Sequence, residues 1–251
     1  MAEMTDNSII LPGERVDDLQ CKGLRIIQSP ASFCFGTDSV LLAHFALRGL
    51  EKASKRSRLA DLGAGSGVLS LLINARTGIP VTAIELDAEA CGRLKRSLEL
   101  NGVADGITAV NADYLDPALD IGPEFDFAVC NPPYFRRDQG SLSKSGCATH
   151  ELTADIGAIC KAAARLIKFG GKLFLCFPAE RLAEGITALA ASGLEPKLMR
   201  LVKTRPGQRP YLALIRANRG AKPGLIIENE LVIYGENGAY TEEVDGYYNE
   251  R

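Results

Sequence analysis

At 251 residues, 46% of them hydrophobic, the chain is long enough for one sizeable core and too short for two full domains. Its 29 Lys and Arg against 31 Asp and Glu leave a net charge of −2, so a nucleic-acid partner would need a local basic patch. Seven cysteines and two histidines with no C-x-x-C pair argue against structural zinc, and the absence of a leader pattern or of an apolar run of about 18 residues predicts a cytoplasmic chain with no metal and no membrane partner.

Met1 to Pro12 reads as a loose terminus, and Asp18 to Gln28 as two short strands around Lys22-Gly23. Phe35-Gly36-Thr37-Asp38 leads into an apolar helix, Val40 to Leu47, with Thr37 or Asp38 placed to cap it. A regular alternation follows: strand Arg58 to Leu62, a Gly-rich turn, helix Val68 to Arg76, strand Pro80 to Glu85, helix Ala88 to Asn101. Strands at Ile107 to Val110 and Phe125 to Cys130 come next, then a polar loop to His150 and a helix from about Leu152 to Ile167. Strand Lys172 to Phe177, helix Ala179 to Ser192 and strands Pro196 to Val202 and Pro210 to Arg216 complete the series. Leu231 to Tyr234 and Ala239 to Thr241 suggest a terminal hairpin about Gly235 to Gly238.

Short β–α–β spacing predicts an α/β chain: a Rossmann-like, doubly wound, mostly parallel seven-stranded sheet with helices on both faces. The expected partition is an N-terminal extension with a short β-hairpin (1–36), a central ligand-binding domain (37–220) and a C-terminal β-hairpin tail (221–251).

Asp61-Leu62-Gly63-Ala64-Gly65-Ser66-Gly67 sets three glycines at alternate positions between a strand and a helix. Glycine lets the backbone turn tightly and approach a ligand closely. Dinucleotide sites use similar turns, but favour G-x-G-x-x-G, and the Gly-Lys-Ser/Thr ending of NTPases is missing. Asp61 just ahead of the turn suits a ligand with a cationic sulfonium and an α-ammonium better than a pyrophosphate. Glu85, at the end of the next strand, stands where a carboxylate accepts from ribose hydroxyls. Asp113, after the third strand, is placed to accept from an adenine amino group.

After the fourth strand comes Asn131-Pro132-Pro133-Tyr134. Two prolines fix φ and remove two donors, leaving carbonyls that only accept. The lone pair of an amide or aryl amine is delocalised into its π-system. The Asn131 side-chain carbonyl and the Pro132 carbonyl would each accept one N–H, orienting the amine without a strong base. Tyr134 would stack on the planar group.

These two motifs resemble those of class I S-adenosylmethionine (SAM)-dependent methyltransferases acting on amino nitrogens. Those families include nucleic-acid adenine methyltransferases, rRNA guanine methyltransferases and release-factor glutamine methyltransferases. From Gln20 to Tyr240 the chain most resembles the tRNA(Val) adenine-37 methyltransferases, on Phe35 to Ala43, Leu59 to Leu71, Cys130 to Phe135, His150 to Leu152, Pro178 to Leu182, Lys222 to Leu225 and Leu231 to Tyr234. The resemblance implies a SAM cofactor, with Thr37, Asp38, Asp61, Gly63, Gly65 and Gly67 about its methionine end. It also implies Glu85 on the ribose, Asp113 and Tyr114 at the adenine, and Asn131 bordering the cofactor. Asn131, Pro132, Pro133 and Tyr134 would hold the target base as the catalytic set. Thr149 stands before His150 where the family often has a basic residue, which puts RNA contact there in question.

Lys197, Arg200, Lys203, Arg205, Arg209, Arg216, Arg219 and Lys222 follow one another without an intervening Asp or Glu. Such a run in a chain of net −2 points to a phosphate-rich partner. Arg136, Arg137 and Lys144 add charge after the Asn-Pro-Pro-Tyr loop. Tyr134, Arg136, Arg137, Arg205 and Arg209 are the candidate substrate contacts, and a tRNA anticodon loop is the candidate partner. Four rivals remain: methylation of a protein glutamine amide, methylation of an rRNA guanine or adenine amine, a non-catalytic SAM-fold protein that binds RNA or another partner, and, more distant, a dinucleotide oxidoreductase.

Overall fold

The computed structural model describes residues 9–30, 36–120, 125–132 and 155–248. Arg15–Asp18 (β1) and Arg25–Gln28 (β2) pair antiparallel, Arg15 opposite Gln28. Strand β1 lies earlier than the sequence suggested, because residues 19–24 are taken by the turn. There Leu19 N–H donates to the Leu24 carbonyl and Leu24 N–H to that of Cys21.

Helix α1 (Thr37–Leu50) starts at an extended Gly36 with no side-chain cap. Neither Thr37 nor Asp38 caps it as expected. Asp38 accepts instead from the Tyr211 phenol at 2.8 Å, which ties the first turn to the far end of the chain.

The alternation then runs β3 (Leu59–Leu62), α2 (Val68–Thr77), β4 (Val81–Glu85), α3 (Ala88–Asn101), β5 (Ile107–Asn111), β6 (Phe125–Cys130), α4 (Ile156–Leu166) and β7 (Ile167–Pro178). A single 3-10 turn leads into α5 (Leu182–Ala191), followed by β8 (Leu194–Lys203) and β9 (Leu212–Arg219). The seven long strands lie in the order β5-β4-β3-β6-β7-β9-β8. Strand β9 alone is antiparallel to its neighbours. The expected doubly wound, mostly parallel sheet is therefore present. Two short strands, β10 (Ile226–Ile227) and β11 (Leu231–Val232), pair in parallel with β8 and bring the sheet to nine.

Alternation along the strands divides the core. Leu59, Val81, Ala83, Phe127, Val129, Phe174 and Cys176 pack with α1, α2 and α3, while Ala60, Leu62, Ala128, Cys130, Leu173 and Leu175 pack with α4 and α5. A strand buried on both faces reads as a continuous apolar run, and β3 is buried at all four positions. Five cysteines (Cys21, Cys91, Cys130, Cys160, Cys176) are buried free thiols. Among the described residues, no helix is long and apolar enough to cross a membrane.

The expected turn about Gly235 to Gly238 forms, closed by the antiparallel bridge Tyr234 to Tyr240 and by Thr241 N–H donating to the Ile233 carbonyl at 2.9 Å, and a helix the sequence did not suggest follows it, α6 (Glu242–Tyr248). Helix α6 docks on α1: Tyr247 stacks on His44 at 4.0 Å, and Val244 is fully buried. Arg200 binds both carboxylate oxygens of Glu243 at 2.5 and 2.8 Å.

Candidate active site

Strand β3 has β4 on one side and β6 on the other. The winding reverses there, so the loops at the carboxyl ends of these strands part to leave a crevice. The glycine turn, Glu85, Asp113 and Asn131 all follow strands that end on this side.

Gly63, Gly65 and Gly67 take φ of 75, 55 and 95°. Gly63 and Ala64 N–H groups donate to the Ile84 carbonyl at 2.9 and 3.0 Å, fastening the turn to β4. A Cβ on Gly67 would lie 2.2 Å from Leu94 Cδ1, whereas one on Gly65 meets nothing within 4 Å. The two glycines thus serve different ends: Gly67 lets α2 approach α3, and Gly65 keeps backbone bare beside open space.

Glu85 accepts from Gly65 N–H at 2.7 Å and from Asp87 N–H at 2.8 Å. The carboxylate is thereby fixed against the glycine turn. Asp87 in turn caps α3 by accepting from Ala90 N–H at 2.8 Å.

Asp61 is fully buried. Its Oδ2 accepts from the Ser70 hydroxyl at 2.7 Å, and its Oδ1 has no hydrogen-bond partner. Burial pushes the carboxyl up to about 7, against the lowering effect of Ser70, and the charge of Glu85 adds to the rise. The folded chain holds this proton more tightly than the unfolded chain, where an Asp titrates near ~4. Stability from this group is present below that value and is lost as pH rises from about 4 to about 7. Asp61→Asn is expected to flatten that part of a stability-versus-pH curve measured by urea unfolding. An unaltered curve would place the proton elsewhere.

Asp113 accepts from Leu115 N–H at 2.8 Å in a tight turn after β5. Tyr114 is buried, its ring 3.7 Å from where a Gly63 Cβ would stand, and burial raises its phenol pKa. The Tyr114 ring therefore supports the turn from below.

Asn131 is held at both ends of its carboxamide. Its NH2 donates to Ser39 Oγ at 2.9 Å, and its Oδ1 accepts from the Cys176 thiol at 2.9 Å. Cys176 faces α1 from β7, and Ser39 is buried in the first turn of α1. Pro132 is buried behind Asn131. Pro133, Tyr134, Arg136 and Arg137 lie outside the described residues. Thr37 and Asp38 sit in the same first turn as Ser39. Burial raises the Asp38 carboxyl, offset by the Tyr211 hydroxyl.

The structure splits the basic run. Arg200 is buried and paired with Glu243, Lys203 pairs with Glu230 at 2.5 Å, and Lys197 donates to the Lys222 carbonyl at 3.0 Å. Arg219 donates to the Ile167 carbonyl, and Arg216 lines an open pocket with Phe45, Phe174, Arg48 and Glu228. Only Arg205 and Arg209 of these stand in the exposed turn between β8 and β9. Strand β8 runs parallel to the central strands, so this turn opens on the side of the crevice.

Sequence reading missed Ser39, Ser70, Cys176 and Tyr211 as partners of the candidate residues. Ser39 lies inside the Phe35 to Ala43 run that carried the resemblance, which was its one available signal.

A doubly wound sheet with this strand order, a glycine turn at its switch point, an acid after β4 and Asn-Pro-Pro after β6 define a class I methyltransferase. The model of the methyltransferase small domain matches residues 27–186, and the chain belongs to that family. It is 33% identical over 209 residues to a protein of Shewanella amazonensis named tRNA1(Val) (adenine(37)-N6)-methyltransferase, covering 82% of this chain and 86% of that one. A relative of the same name from Cronobacter sakazakii is 30% identical over 212 residues, covering 82% of each chain. Among solved structures, a protein of Agrobacterium tumefaciens described as a predicted O-methyltransferase superposes with a TM-score of 0.65 at 26% identity, covering 84% of this chain and 95% of that one.

Proposed function

We propose that this chain transfers a methyl group from SAM to the exocyclic amine of adenine in RNA, with adenine 37 of a valine tRNA as its substrate in the cytoplasm. The observation that carries the chemistry is Asn131, fixed between Ser39 and Cys176 beside the glycine turn. The names of the relatives support the choice of tRNA.

The residues present fit a cationic cofactor. Asp61 Oδ1 is buried without a hydrogen-bond partner, and Gly65 faces open space. Thr37, Asp38, Asp61 and the three glycines would surround the methionine end, Glu85 the ribose, and Asp113 and Tyr114 the adenine. Once bound, SAM supplies an electrophilic methyl group on a sulfonium. The chain's own part is orientation. The Asn131 side-chain carbonyl, held in place with the Cys176 thiol donating to it, would accept one N–H of the target amine. The Pro132 carbonyl takes the second N–H, Tyr134 stacks on the base, and the amine lone pair is left toward the methyl group.

A cation bound near Asp61 lowers its pKa, so SAM binding should release a proton below about pH 7 and tighten as pH rises through that value. Calorimetric titration at pH 6.5 in two buffers of different ionisation enthalpy measures the release; none, or an equal release by Asp61→Asn, would remove Asp61 from the cofactor site.

Arg205 and Arg209, exposed at the crevice end of the sheet, favour RNA over a protein amide. Arg205→Glu and Arg209→Glu are expected to weaken tRNA binding and to reduce its log–log salt slope by about 0.7–0.9 per lost phosphate contact. Unchanged affinity and slope would take this turn out of the RNA site. The deciding assay is methyl transfer from labelled SAM to unmodified tRNA(Val), with unmethylated release factor and duplex DNA alongside. Label recovered as methyladenosine supports the reading, and label on the protein alone overturns it.

A further inference from the structure

The last turns of α1 and the facing residues of β7, β8 and β9 frame a pocket of about 280 Å³, room for about nine waters. It is distinct from the crevice. The α1 residues that line it, Phe45, Arg48 and Gly49, stand 8–12 positions beyond Thr37, about 12–18 Å down the helix from the first turn. Phe45 and Phe174 meet edge to face with ring centroids 6.3 Å apart, and with Leu198 they give the pocket an apolar wall.

Arg216 lines the same pocket, its Cδ 3.7 Å from where a Gly49 Cβ would lie. Its Nε is shut off from water and has no hydrogen-bond partner. The neighbouring groups that could satisfy it are engaged elsewhere. The Gly49 carbonyl accepts from Lys172 Nζ at 3.0 Å, and both carboxylate oxygens of Glu228 accept from Arg48. Glu51, on the rim, is exposed. The nearest further charges are cations: Arg216 and Lys52 add to burial in lowering the Lys172 pKa. A partly dehydrated charge without a counter-ion costs stability. A guanidinium recovers that cost against a carboxylate or phosphate, which takes two of its N–H groups at once.

We propose that this pocket binds a small molecule joining a carboxylate or phosphate to a flat apolar body. The oxyanion sits on Arg216, and the body lies against Phe45, Phe174 and Leu198. The site is separate from the one that carries methyl transfer, so it stands whatever the chain methylates.

Phenyl phosphate and benzoate present the two oxyanions on such a body, and benzyl alcohol presents the body without the charge. In calorimetric titrations the wild type should bind at least one of the two anions at one site per chain, and benzyl alcohol at least tenfold more weakly. Arg216→Met keeps the apolar bulk and removes the charge. It should bind the anion about tenfold more weakly or worse, with the Tm of the free chain unchanged or raised, because an uncompensated charge has gone. A second arm uses the wild type alone: the anion should shift the Arg216 Nε–H resonance in a nitrogen-15 NMR spectrum and leave that of Arg205, in the β8–β9 turn, in place. No binding of either anion overturns the site, as does equal binding by Arg216→Met. An unmoved Arg216 resonance under a titration that records binding overturns it too, since the anion then lies elsewhere.

Discussion

Asn131→Ala is expected to lower kcat for RNA methylation by about 10²–10³-fold, with SAM still bound at close to wild-type affinity. The side chain contributes a fixed acceptor for one N–H of a planar amine, which matters most as that amine gives up its delocalised lone pair. Removing it also leaves the Cys176 thiol and the Ser39 hydroxyl without their shared partner. Ser39→Ala keeps the acceptor and loses one of the restraints on it, so it should lower kcat by about tenfold. Single-turnover rates and equilibrium SAM titrations separate these effects. Normal turnover by Asn131→Ala would end the proposed role of this residue, and a Ser39→Ala defect confined to SAM affinity would end that of its support.

Gly67→Ala is expected to destabilise the fold by about 2–5 kcal/mol. Holding an L-residue in left-handed backbone costs about 1–2 kcal/mol, and φ here is 95°. Forcing a methyl group into Leu94 at 2.2 Å adds about 1–3 kcal/mol of overpacking. Leu94 is fully buried, so it has nowhere to yield without moving α3 against the sheet. For a chain of this size the melting temperature should fall by about 10 °C. Gly65→Ala is the informative contrast. Its φ of 55° lies in the ordinary left-handed region and nothing crowds it, so its stability cost should be about 1 kcal/mol, while SAM affinity drops more than tenfold because the methyl group fills the space beside the turn. Thermal melts and SAM titrations of both variants measure the pair. Equal melting temperatures would mean that α2 and α3 can part more easily than their packing indicates.

The doubly wound sheet was legible because each buried strand carries a short apolar run and each turn its own punctuation. Gly63 to Gly67 and Asp87 sit where helices begin, and Gly78 and Gly102, both left-handed, where α2 and α3 end. The C-terminal segment was legible only in part. The turn between Tyr234 and Tyr240 closes as its glycines suggest, but β11 takes its hydrogen bonds from β8, and Glu242 to Tyr248 carries a glycine and too few apolar positions to announce a helix. Its order comes from tertiary partners, Arg200 and His44, that periodicity does not reveal. For the candidate site, motif spacing pointed to Asp61, Glu85 and Asn131. It was silent on their partners, since Ser39 and Asn131 are 92 residues apart and Cys176 and Asn131 are 45 apart. The basic run misled for a related reason: a charge pattern along a β-strand edge does not tell a cation paired with a distant acid from one left in solvent.

The docking of α6 and Tyr211 on the first turns of α1 also bears on how the site is acquired. Asp38 meets Tyr211 across 173 residues, and Arg48 meets Glu228 across 180. Contacts of such separation form only after the intervening chain has collapsed, since loop closure must precede any gain from them. The central strands can pair beforehand, but the helical turn that carries Ser39 gains its last partners only when the far segment arrives. Catalytic competence is therefore a late event in the maturation of this chain, and amide protection in α1's first turn should rise in step with that of α6 rather than with the sheet.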